Sequence, residues 1–518
     1  MNKDHYDKVP IHKLLRELEL SEQQITDGKI RAADDVMAKM KEKIMTYDIE
    51  SFDRYIENLF EKSGYPGLTM TVRGPEGVIY ERGFGKRSVE HDLPADPDTI
   101  FGIASMSKSM TTLALCILAT EGKVSFDEPV CKFFPDFRVP GIPAECVTLK
   151  HLAMHTSGIP PIPPLEWSIV MNSVERDTEY ARKLRASAPN EMATIDQIIA
   201  YIAAGDYGDP HYTTLGSPGE YMSYSNEGYA ILSYVVDQVA GVKLEDFLAE
   251  RLFKPLGMTR TVIDDTCAAA KAIAGGNITS LFERDAEGKL IWDDNWSILP
   301  PYRGCAMVKS TSHDISKYYQ MLSNGGQWEG KQVIPAAAVE MLIGQAFPLQ
   351  RWPFYCYGLK KRLFHGRTIC EHSGGLHGVS TSGGLIDGGY SVAVLCNEGE
   401  VDTDWFQWAG YNLILGLPFD TDHHWALPNG TAFSEPQALV GDYLDMEGNP
   451  AHNIVTYADG VLKADYCGTK VDMRHCGEAK FVCYSEKEPE KRITTMEFYV
   501  RKGQAWACRC GTRIFERV

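Results

Sequence analysis

Between Ser105 and Gly122 no Gly or Pro interrupts the chain, and Met106, Met110, Leu113, Ile117 and Leu118 recur mostly at steps of three or four. This is the pattern of a helix with a face turned to an interior. Ser105 and Lys108 then share one face, a turn apart. A hydroxyl at a helix start with an amine beside it suits nucleophilic attack near neutral pH, provided the amine is desolvated or lies beside another cation and so accepts the proton. Alone, Ser-x-x-Lys arises by chance about once in a chain this long, and a Ser at a helix start commonly serves as an N-cap. The other segments have to decide.

At 518 residues the chain exceeds one ordinary core, so two or three domains are expected. The 52 basic and 70 acidic residues leave a net charge of -18, which repels nucleic acid and anionic membranes. The N-terminal stretch has no apolar h-region, and no apolar run reaches membrane-spanning length, so a cytoplasmic location is expected. The 13 cysteines show no Cys-x-x-Cys pair and read as buried small hydrophobes. Cys508 and Cys510 fit alternate side chains of a strand better than a metal site.

In order, residues 1–48 read as a charged N-terminal helical extension. Residues 49–420 form the main body, opening with a helix and a hairpin over Leu68 to Gly83 around Gly-Pro-Glu-Gly. His151 and His155 lie four apart, but no Glu or third ligand accompanies them, so both read as structural. Residues 160–218 read as a lid or a helical insertion, and residues 262–303 as a surface excursion. Strand character returns at Arg367 to His372, Gly378 to Ile386 and Tyr390 to Cys396, followed by a helix over 403–416. Residues 421–436 make a linker, and 437–518 alternate like a small antiparallel barrel with no evident catalytic cluster.

Two further stretches carry chemistry. PGEYMSYSNEGYAIL presents Tyr224 and Asn226 on a turn ahead of an apolar helix, where a phenol can meet a proton in flight. His372-Ser373-Gly374-Gly375 ends a strand, and its glycines permit close backbone approach. Ser105-x-x-Lys108, Tyr224-x-Asn226 and His372-x-Gly374, in this order and with these separations, resemble the motifs of the serine β-lactamase and penicillin-binding-protein superfamily. LKHLAMHTSGIP, LFKPLGM and GCAMVKSTSHD are similar to segments of its class C-like branch, which includes D-Ala-D-Ala carboxypeptidases, D-aminopeptidases and esterases. The resemblance spans roughly residues 50–420. The C-terminal region more loosely resembles the lipocalin-like barrel that some of these peptidases append.

The resemblance implies an α/β (α+β) fold: an antiparallel sheet flanked by helices, an all-helical region, and a site in the cleft between them. It makes Ser105 the nucleophile, Lys108 the proton acceptor, Tyr224 the shuttle to the leaving group and Asn226 the support of Lys108 or the substrate amide. The backbone N-H groups of Ser105 and Gly375 would form the oxyanion hole, and His372 would orient Tyr224 or the substrate. Arg303 is a candidate anchor for a substrate carboxylate, against a plain surface role. Where true β-lactamases carry Lys-Thr-Gly this chain has His372 followed by Ser373, the peptidase and esterase pattern. The expected activity is that of a serine peptidase or amidase on small peptides or amides. Carboxylesterase and acyltransferase stand as alternatives on the same scaffold, as does a non-catalytic assembly member. No metal or organic cofactor is required, and the two terminal regions offer contacts for a homo-oligomer.

Overall fold

The hairpin read from the alternating pattern forms from Gly67–Gly74 and Gly77–Ser88, with Met70 opposite Arg82. Every residue of the first strand is buried, as expected of a strand covered on both faces. The computed structural model describes residues 47–518 apart from 174–177, 286, 345–346, 349–353 and 425. The N-terminal extension expected over 1–48 thus lies outside the described residues, save Tyr47 and Asp48.

The late strands Arg367–Leu376, Val379–Ile386 and Tyr390–Cys396 run antiparallel, and the last pairs with the first strand, Leu68 facing Cys396. Gly388 and Gly389, at φ 83 and 91, supply the left-handed turn before Tyr390. Opening and closing segments of the body therefore meet at the middle of one sheet, whose strands follow the order 347–348, 354–355, 360–364, 367–376, 379–386, 390–396, 67–74, 77–88 and 93–94.

Helices Ile49–Ser63 and Asp404–Leu415 cover one face, packing Phe52, Ile56, Phe406 and Tyr411 against Met70, Val72 and Val394. Asp48 caps the first of these and Gly64 ends it in the left-handed region. On the other face lie Ser107–Thr120, Asn226–Ala240 and Ser312–Ser323 within the largest core. The helix Ser107–Thr120 is buried from Ser107 to Leu118 on every side, wider than the single stripe its periodicity implies, because the all-helical region wraps it. Burial of each large apolar side chain there stabilises the fold by roughly 2 kcal/mol.

Residues 441–517 close into a barrel of eight antiparallel strands, the last pairing with the first through Tyr443 and Arg517. Its interior is packed with Tyr443, Val455, Phe481, Phe498 and Phe515. Among the described residues no helix is long and apolar enough to cross a membrane.

Candidate active site

Ser105 occupies a single 3-10 turn, Ala104–Met106, which leads into the helix Ser107–Thr120. Its hydroxyl oxygen accepts from Lys108 Nζ at 3.0 Å. The preceding Ala104 has φ 45, a left-handed conformation costly for a residue with a Cβ. The strand Arg367–Leu376 presses on this turn: a Cβ on Gly374 would lie 2.3 Å from the Ile103 carbonyl oxygen, whereas one on Gly375 would meet open space.

Lys108 is fully buried. Besides Ser105, its amine donates to Asn226 Oδ1 at 2.9 Å and to the Cys305 carbonyl at 3.3 Å, and Cys305 Sγ lies 2.9 Å away. Burial works against the ammonium, but the Cys305 thiol and Tyr224 phenol, as anions, attract it more strongly and hold its pKa above the ordinary lysine value. Burial in turn pushes the Cys305 thiol up.

Ser225 caps the helix Asn226–Ala240, accepting from Gly228 N, and this sets Tyr224 and Asn226 on either side of the cap. The Tyr224 ring centroid lies 4.8 Å from Lys108 Nζ. Its ring is buried, and among the described residues no atom meets its hydroxyl in ordinary hydrogen-bond geometry.

His372 reaches this group indirectly. Its Nε2 lies 3.2 Å from Tyr355 Oη, and Tyr355 Oη lies 3.1 Å from His155 Nε2. His155 Nδ1 accepts from Ser225 N at 3.0 Å, so its Nε2 carries the proton and donates to Tyr355; the phenol then donates to His372, whose Nδ1 donates to the Ser373 carbonyl at 2.5 Å. Both imidazoles are neutral in this relay. Burial, then the charges of Lys360 and Lys108, push His372 down to about 3; burial, then Lys108 and Arg513, hold His155 well below its ordinary value. The Tyr224 ring packs on His155 with centroids 4.1 Å apart, and lies 6.1 Å from His372.

Arg303 goes elsewhere. Its side chain is 6% exposed and pairs with Asp237 at 2.6 Å and Glu245 at 3.4 Å, while its guanidinium covers the Tyr234 ring. This corrects the carboxylate-anchor expectation, because both terminal nitrogens are engaged by carboxylates within the helical region, and only Nε lacks a partner among the described residues. His151 accepts from Thr148 N in a capping box. Among the described residues no group of three or more His, Cys, Asp or Glu side chains is arranged for a metal.

The barrel, in which the sequence shows no evident catalytic cluster, borders the candidate site. The Thr512 carbonyl accepts from Tyr224 N at 2.8 Å, and the Arg513 guanidinium lies 4.3 Å from the Tyr224 ring centroid. A cavity of about 230 Å³ opens between barrel and body, lined by Lys360, His372, Ser373, Asp404 and Thr512 among others. Tyr355 and Arg513 lie outside the quoted motifs, and only folding brings them, with Cys305 of GCAMVKSTSHD, to Ser105's neighbours.

The family model described as Beta-lactamase matches residues 52–415. The chain belongs to the β-lactamase family. Penicillin-binding protein 4* of Bacillus subtilis (strain 168) is 24% identical over 414 residues, covering 76% of this chain and 83% of that protein. The octameric penicillin-binding protein homologue from Pyrococcus abyssi shares the fold over 90% of this chain and 99% of its own, at 23% identity and TM-score 0.61. The D-amino acid amidase from Ochrobactrum anthropi SV3 does so over 71% of this chain and 98% of its own, at 20% identity and TM-score 0.54. The family's serine hydrolase character is the coarse function of this chain.

Proposed function

We propose that the protein cleaves small peptides or amides through an acyl-enzyme on Ser105, releasing an amine. The observation that carries this reading is the 3.0 Å contact of Ser105 Oγ with a buried Lys108, whose amine lies 4.8 Å from the Tyr224 ring centroid. Lys108 and Tyr224 act as one proton-holding unit: ammonium with phenolate and amine with phenol contain the same number of protons, and either form has one vacancy for the Ser105 proton. Attack on the carbonyl forms the Ser105 ester, and the unit then hands the proton to the departing nitrogen. Water is activated in reverse to release the acid. The N-H groups of Ser105 and Gly375 stabilise the oxyanion, a contribution of about 3 kcal/mol per donor. Asn226 holds Lys108, and His372 stiffens the Tyr355 and His155 relay behind Tyr224.

The fold shared with a D-amino acid amidase and a penicillin-binding protein supports amides as substrates. Fluorophosphonate labelling and hydrolysis of amino-acid p-nitroanilides and esters test the reading: Ser105→Ala should lose both, and a Ser105→Ala protein with wild-type turnover would rule it out. The octameric homologue supports a homo-oligomer, which mass measurement in solution tests.

A further inference from the structure

Resting on that reading, we propose that Arg513 of the C-terminal barrel is a positioning residue for Tyr224, fixed by Glu447, so that the hydrolytic site is complete only with the barrel in place. The final barrel strand runs beside the loop that carries the phenol. Thr512 accepts from Tyr224 N at 2.8 Å, and Ile514 N donates to Ser223 Oγ at 3.2 Å. Between these two contacts the Arg513 side chain turns over the Tyr224 ring at 4.3 Å, within cation-π range.

The guanidinium is held as a fork. Nε donates to Glu447 Oε2 at 2.5 Å and Nη2 to Glu447 Oε1 at 2.7 Å, while Nη1 donates to Thr512 Oγ1 at 3.0 Å. All three nitrogens are thus engaged inside the protein, which argues for a role through Tyr224 rather than contact with substrate. Glu447 Oε1 also accepts from Asn226 Nδ2 at 3.2 Å, and the Oδ1 of the same amide holds Lys108 at 2.9 Å. One barrel carboxylate therefore links the arginine over the phenol to the amide under the amine. Lys108 and Arg513 both lie within 5 Å of the Tyr224 ring centroid, at 4.8 and 4.3 Å. Negative charge developing on the phenol oxygen during proton transfer is attracted by both. The other titratable groups around this pair are His155, Tyr229, Tyr355, His372, Cys305 and Glu227 on the body and Glu447 and Asp445 on the barrel.

The test measures the rate of Ser105 phosphonylation by a fluorophosphonate, which needs no knowledge of the natural substrate, on the full chain between pH 5 and 10. Arg513→Met should slow the maximal inactivation rate by at least about tenfold with little change in the half-saturating probe concentration. The rising limb of the pH profile should move to higher pH by about half a unit or more, because a cation that favours proton loss is gone. Arg513→Lys should restore the limb but only part of the rate, since an ammonium keeps charge without the fork. Arg517→Met, on the same strand and bonded to Ala505 O, should behave as wild type. Should Arg513→Met fail to fold, Glu447→Gln, which leaves the arginine present but loosely held, should reproduce the slower rate. An Arg513→Met or Glu447→Gln protein with wild-type rate and profile, or a loss that Arg517→Met shares, overturns the proposal alone. A wild-type protein that takes no label on Ser105 overturns the hydrolase reading beneath it.

Discussion

A fully buried ammonium needs an acceptor for each N-H, and Lys108 finds them in Ser105, Asn226 and Cys305. Asn226→Leu removes one of these without changing volume greatly. A hydrogen bond to a charged group is worth about 1.5–3 kcal/mol, so kcat/KM on p-nitroanilides should fall roughly tenfold to hundredfold, with the Ser105 label still accepted more slowly. Wild-type kinetics in Asn226→Leu would mean that Lys108 does not depend on it. Ser105, Lys108, Tyr224 and Asn226 were legible because each lies within a few residues of a motif partner. Tyr355 and Arg513 were not, because their relation to the amine and phenol exists only across the fold, and Cys305, though inside GCAMVKSTSHD, gave no hint of its contact with Lys108. His155 lay in plain view in a His-Thr-Ser-Gly turn, but its link to Tyr355 crosses 200 residues. Arg303 misled for the same reason, since nothing local announces Asp237 as its partner.

The strand Arg367–Leu376 has to lie against the Ser105 turn, and its two adjacent glycines do unlike jobs. Gly374→Ala would drive a methyl into the Ile103 carbonyl, so strand and turn must separate; Gly375→Ala meets no atom within 4 Å. A displacement approaching 1 Å at a reacting centre costs on the order of a hundredfold, so Gly374→Ala should lose that much kcat while Gly375→Ala stays within a few-fold. Equal kinetics for the two would refute the packing argument. The turn after this strand is clamped as well: His377 Nδ1 lies 2.6 Å from Glu283 and Nε2 lies 3.1 Å from Asp293, on the hairpin Leu281–Arg284 and Leu290–Asp293. Burial disfavours the imidazolium, yet the hydrogen bonds to Asp293 and Glu283 outweigh it and raise His377 to about 10. A raised folded pKa gives stability that is complete below 6.5 and is lost as pH rises through 10. In urea unfolding, wild type should exceed His377→Gln by about 1–3 kcal/mol at pH 6 and by little above pH 10; a gap independent of pH would show that charge is not the cause. The paired strands were legible because alternation and Gly-rich turns are local. Within the excursion over 262–303, Tyr302 is fully buried and donates to Glu227 at 3.1 Å, a long-range contact that polar flanking sequence conceals.

For the molecule as a whole, the barrel's existence was legible from its alternation, but its attachment was not, because the joint combines an apolar patch of Leu215, Ala507 and Ile514 with single polar contacts scattered over the sequence. Thr213 N and Oγ1 donate to Glu516 at 3.0 and 3.3 Å, beside the Thr512 and Ile514 contacts. Burial raises Glu516 to about 7, opposed by the hydrogen bonds from Thr213, and burial likewise raises Asp445 in the barrel and Glu227 in the body to about 7. A carboxyl raised in the folded state is held protonated there more firmly than in the unfolded chain, so the folded form loses stability relative to the unfolded one as pH climbs from the ordinary carboxylate range to 7, and the loss is complete above that. The joint therefore holds best in mildly acidic solution. Glu516→Gln keeps an oxygen for Thr213 N and lets the hydroxyl rotate toward the new amide, while removing the charge. Its stability relative to wild type should rise by roughly 2 kcal/mol between pH 5 and pH 8, read as the difference in urea midpoints multiplied by the common m-value. A difference that stays constant over this range would show that Glu516 is ionised at the joint throughout and would overturn this account of its pH dependence.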